Sequence, residues 1–125
     1  MKLSKLIDPQ FQSVLRKLAA QEIPLRTAFM LKGIIKLVNE ELNKYDEVKS
    51  EALNRLGEKG EDGQIIVEAN GNVKLSDENM KLLVSEMNAL LASDVNVGSL
   101  KVGDLGNKVA LSANELMSLD ELITE

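Results

Sequence analysis

The sequence predicts a mostly helical α+β fold. Residues 25–56 keep a helical pattern for eight or nine turns, opened by Pro24 and closed by Gly57. Asn70-Gly71 sits between two short β-rich runs. Ser112 is followed three residues later by Glu115 ahead of a Leu-rich end, the signature of a capped helix. We read residues 1–125 as one domain, with a helical part at 8–56, a flexible loop at 57–63, and a hairpin with C-terminal helices at 64–123.

The elements follow in order. Asp8 caps a first helix and Pro9 fits its first position, where a missing N–H costs nothing. Phe11, Val14, Leu15 and Leu18 mark its buried face. Pro24 then disfavours helical geometry at Ile23 and ends the turn between helices. The long helix reads in heptads, with Ala28, Ile35, Leu42, Lys49 and Leu56 in one set and Leu31, Val38, Tyr45 and Ala52 in the other. At ~1.5 Å per residue its 32 residues span about 48 Å, more than the shorter helices cover one by one.

Gly57–Gly63 is a charged, glycine-punctuated loop. Ile65–Val67 and Val73–Leu75 flank Asn70-Gly71, which predicts a hairpin with a tight type I′ turn. Ser76, with Asp77 and Glu78 behind it, starts a helix whose apolar face is Met80, Leu83, Val84, Met87, Leu90 and Leu91. Short strands are expected at Asp94–Val97 and Val109–Leu111, and the capped last helix through Leu122 and Ile123. No internal repeat is evident. The expected core is Phe11, Leu15, Leu18, Phe29, Ile35, Leu37, Leu83, Val84, Met87, Leu90, Leu116 and Leu119.

Composition narrows the chemistry. There is no Cys and no His, which removes disulfides, thiolate metal sites and the commonest general base. We expect no enzyme, no cofactor and no metal; a carboxylate pair such as Glu115 with Asp120 is conceivable, but Asp120 and Glu121 are better explained as solvating the last helix. Gly98-Ser99-Leu100-Lys101-Val102-Gly103 has the glycine spacing of a phosphate loop, but Asp104-Leu105 stands where the motif needs Lys-Ser/Thr. Glu58, Glu61 and Asp62 lack the alternating ligand spacing of a calcium loop. Met1–Ile7 lacks a signal-peptide pattern, and no run reaches the ~20 apolar residues of a membrane span.

Charge is polarised along the chain. Residues 1–39 hold seven Lys/Arg against two Asp/Glu, a balance of +5, and residues 40–125 hold eight against eighteen, a balance of −10. The basic residues are dispersed, with no aromatic stacking element, so nucleic-acid binding is not expected. The polarity instead suits contact between the basic part of one copy and the acidic part of another. The heptad face supplies the surface. Val38, Leu42, Tyr45, Lys49, Ala52 and Leu56 are the expected interface of a homo-oligomer, antiparallel or staggered because Lys49 would face itself in a parallel seam.

Residues 42–76, LNKYDEVKSEALNRLGEKGEDGQIIVEANGNVKLS, resemble small proteins encoded in tailed-bacteriophage genomes. These similarly run from a long charged helix through a Gly-Glu…Asp-Gly loop into a hairpin and end in a capped Leu-rich helix. The resemblance is one of pattern over about residues 24–123. It implies a phage structural or assembly-related protein, located in the host cytoplasm or the virion, acting on itself or on another virion protein. The alternative, motivated by the acidic balance of residues 40–125, is a small inhibitor or modulator that binds a host protein. No catalytic residue comes with the resemblance.

Overall fold

Two prolines and three capping side chains set the helix starts. A computed structural model describes all of residues 1–125. One helical turn, α1 (Leu3–Leu6), precedes α2 (Pro9–Ala19), which Asp8 opens by accepting the Gln10 N–H at 2.9 Å. After Pro24 comes α3 (Leu25–Leu56), and Ser76 opens α4 (Asp77–Leu91) by accepting the Asn79 N–H. The chain continues through β1 (Leu100–Lys101), a 3-10 turn (Val102–Leu105), α5 (Ala113–Ser118) and β2 (Ile123–Thr124). Ser112 and Glu115 form the reciprocal capping box of α5. The fold is α+β and mostly helical, and no helix is long and apolar enough to cross a membrane.

The chain divides into two compact units, Met1–Leu42 with Asp94–Glu125, and Asn43–Ser93. The division falls within α3, which contributes its first half to one unit and its second half to the other.

The first unit is aliphatic around one aromatic ring. Phe11, Leu6, Leu18, Leu100, Leu119 and Leu122 are fully enclosed, and α3 adds Leu31, Ile34 and Val38. Thr27 is buried with them because its hydroxyl donates to the Asp104 carbonyl at 2.5 Å. β1 and β2 pair in parallel, Leu100 with Ile123 and Lys101 with Thr124. α5 stops at Ser118 rather than continuing through Ile123: the chain turns over residues 119–122, burying Leu119 and Leu122, and extends only at Ile123 to pair with Leu100. Lys2 bridges Asp94, and Val95 donates to the Met1 carbonyl at 2.8 Å, so the expected strand at Asp94–Val97 reduces to one bridge. No strand forms at Val109–Leu111, where the Ala110 N–H goes to the Gln21 side chain.

The second unit contains a repeat that the residue pattern does not announce. Gly60 and Glu68, eight residues apart, donate to Gln64 and Asn72. Gly63 and Gly71 donate to Gly60 and Glu68, and the Asp62 and Asn70 side chains accept from Gln64 and Asn72, each at 3.0 Å. Gly63 and Gly71 have φ of 77° and 86°. The region is two copies of one eight-residue turn: each reverses the chain across a single antiparallel bridge, Lys59 with Ile65 and Val67 with Val73, so the expected hairpin around Asn70-Gly71 is present in minimal form and the loop before it repeats the same reversal. In each, only the glycine takes positive φ, so the turn at Asn70-Gly71 is not type I′: Asn70 stays at negative φ, and Glu68–Gly71 closes with glycine in the fourth position.

The same spacing continues in the backbone. The Glu58 N–H donates to Lys74, Lys74 to Ile66, and Ile66 back to Glu58, at 2.8–2.9 Å. One residue earlier, Gly57, Ile65 and Val73 converge, and a Cβ on Gly57 would lie 2.6 Å from the Leu53 carbonyl oxygen and 2.7 Å from Val73 Cγ1. The C-terminus of α3 is closed from both neighbours. Asn79 donates to the Leu56 carbonyl at 3.0 Å, and the Lys59 ammonium reaches the Asn54 and Gly57 carbonyls. Arg55 and Glu86 join α3 to α4 at 2.5 Å.

Four residues expected in the core are exposed: Phe29, Leu37, Val84 and Leu116. Ile35, Leu83, Met87 and Leu90 are half-buried, and Phe11, Leu15, Leu18 and Leu119 are buried. The inward row of the first half of α3 is Thr27, Leu31, Ile34 and Val38, which leaves Phe29 on the opposite side and Leu37 on the flank.

Candidate functional surface

α3 carries two apolar surfaces in the first unit, one beside α2 and one facing outward. The first is a groove. Leu15 and Ala19 of α2 face Ile35, Val38 and Leu42 of α3 across a cavity of about 340 Å³, with Gln12, Arg16 and Asn39 among its lining residues. A second hollow of about 380 Å³ continues it past Ala19 and Ile35 to Ile23, Ala28, Leu31 and Lys32. Ala19 is small and exposed, the last residue of α2, and it lines both hollows.

The outward surface is more apolar than its position in a single chain explains. Leu25 is 88% exposed and Phe29 77%, with Leu37 at 42% and Met30 at 38%. Leu25, Phe29 and Leu37 follow a four-residue spacing and share one side of the helix, with Gly33 between the latter two. Burial of such side chains contributes about 1.5–3 kcal/mol each, so several of them in water on one helix face form an exposed apolar patch whose covering would be favourable.

The heptad residues fall into different surroundings. Val38 is buried in the first unit, and Ala52 and Leu56 are buried in the second, all by the chain's own residues. Leu42 is half-buried and lines the groove. Tyr45 is half-buried and Lys49 is exposed. A continuous seam from Val38 to Leu56 is therefore not open to a partner; Leu42, Tyr45 and Lys49 are its accessible members. Heptad counting found this row and passed over the outward row at Leu25, Phe29 and Leu37, assigning two of these to the core. The signal available for them was that apolar residues occupy more of the helix circumference in residues 25–38 than one core can bury.

The carboxylates considered for chemistry have structural partners. Glu115 caps α5 and pairs with Lys17 at 2.8 Å. The Lys17 ammonium, and next the Ser112 N–H, hold its carboxyl below the usual glutamate range. Asp120 lies 4.0 Å from Lys5. In the turns, Glu58 pairs with Lys74 and Asp62 accepts the Gln64 N–H. The Gly98–Gly103 segment holds buried Leu100 in β1, and Asn96 accepts the Gly98 N–H. Searches of protein-family models, of curated proteins and of solved structures match nothing to this chain.

Proposed function

We propose that this protein is a non-enzymatic association module, joining a second copy of itself through the apolar outer side of α3. The pattern resemblance supplies the setting: a structural or assembly-related component of a tailed bacteriophage. The exposure of Leu25 and Phe29 on one helix carries the reading.

Size-exclusion chromatography with light scattering tests it. At about 100 μM, where even weak contacts populate, the wild-type chain is expected above its monomer mass of 13.7 kDa. Phe29→Asp is expected at monomer mass with an unchanged far-UV spectrum, because the ring makes little contact within the chain. Ala19→Glu separates the two surfaces, since it obstructs the groove and leaves the outer side intact. Wild-type protein at monomer mass removes the reading. Mass spectrometry of purified particles tests the virion setting.

A further inference from the structure

Gly33 lies eight residues into α3, where glycine is the least favourable residue short of proline. Nothing in the chain comes within 4 Å of where its Cβ would be, so no internal neighbour requires it. Its surroundings on the helix are symmetric in kind. Phe29 stands four residues before it and Leu37 four after, both exposed. Arg26 stands seven before and Glu40 seven after, both exposed and neither ion-paired within the chain. At 100° per residue these five fall on one side of the helix. Along it the order is cation, bulky apolar, glycine, bulky apolar, anion.

We propose that two copies pair α3 against α3 in antiparallel fashion, about a two-fold axis at Gly33. This deepens the self-association reading and rests on it. The two-fold operation sets each residue before Gly33 against its counterpart the same distance after it on the other copy. Phe29 then meets the partner copy's Leu37, and Arg26 meets the partner copy's Glu40, each twice. A parallel pairing would place Arg26 on Arg26 and Glu40 on Glu40. The missing side chains at the axis let the backbones approach. A shallow crossing of about 20° keeps both charged pairs in reach, since they lie roughly 10 Å to either side of the axis.

Charge reversal tests the register in a way folding does not confound. Arg26→Glu alone sets Glu against Glu at both ends of the contact, and Glu40→Arg alone sets Arg against Arg. Each is expected to weaken self-association about tenfold. A 1:1 mixture of the two single variants restores opposite charges in both pairs, so a heterodimer of near wild-type affinity is expected. The double variant Arg26→Glu/Glu40→Arg is expected to recover the homodimer. Gly33→Leu has open space in the single chain and a better helix former, so its melting temperature as a dilute monomer should not fall, while its dimer affinity should drop at least about tenfold.

Analytical ultracentrifugation of the full chain reads all of these. A wild-type monomer overturns this geometry and the self-association reading together. A wild-type dimer that is indifferent to both reversals and to Gly33→Leu overturns this geometry and leaves self-association standing. Single variants that weaken the dimer but do not recover on mixing overturn the antiparallel register.

Discussion

Two side chains show how single residues tie distant parts of the first unit. Thr27 lies on the buried row of α3, and its hydroxyl closes on the Asp104 carbonyl. Thr27→Val keeps the shape and removes the donor, so we expect a loss of about 1 kcal/mol in urea unfolding. Glu115 joins α5 to α2 through Lys17, and its depressed folded-state pKa sets the sign of a pH effect. Such a carboxylate contributes stability that is complete above its unfolded value and is lost as pH falls through the folded one. Wild-type and Glu115→Gln melting temperatures should therefore differ at pH 7 and converge as pH falls from the ordinary glutamate range through the depressed folded-state value. The capping role of Glu115 was legible from Ser112 three residues before it. The ion pair was not, because Lys17 is 98 positions away in the chain.

Element boundaries were legible wherever a backbone-restricting residue stands at them. Pro9, Pro24 and Gly57 bound α2 and α3 as expected, and Ser76 and Ser112 open α4 and α5. Which face of α3 turns inward was not legible, since residues 25–38 carry two apolar rows and periodicity does not rank them. The eight-residue turn was hidden because its copies share only an acid or amide, a glycine and a following amide; the rest of the equivalence is backbone geometry. That equivalence has a measurable consequence. Gly63 and Gly71 both have positive φ and open space around the Cβ position, so an added methyl meets only conformational cost. We expect Gly63→Ala and Gly71→Ala each to lower stability by about 1–2 kcal/mol, and by nearly equal amounts. Gly57→Ala should cost more, because its methyl would meet the Leu53 carbonyl and Val73.

At the scale of the molecule, the two units differ in how chain order supports them. One is a continuous run, Asn43–Ser93, and the other needs both Met1–Leu42 and Asp94–Glu125. The shorter, sequence-local contacts of the continuous unit suit it to open and close on its own. Removing residues 120–125 deletes β2 together with buried Leu122 and Ile123. We expect hydrogen exchange in that truncated chain to accelerate at Thr27, Leu31 and Leu100, while the Ile66 and Lys74 amides stay slow. Equal acceleration in both units would show a single cooperative block. The α+β class was legible from the long helix and the turn residues. The parallel pairing of β1 with β2 was not, because two-residue strands leave no alternation to read.

The backbone cycle of Glu58, Ile66 and Lys74 has a consequence for aggregation. In an open sheet the outermost strand presents donors and acceptors that a neighbouring molecule can adopt, and proteins must guard against it. Here each of the three residues gives its N–H to one partner and its carbonyl to the other, so at this level the ring has no outermost member. A β-rich stretch containing Ile65, Ile66 and Val67 is thereby withheld from strand addition by closure rather than by charge or proline. Where this segment opens, three mutually dependent hydrogen bonds are released at once, and the aggregation hazard would arise from that opening rather than from the folded chain.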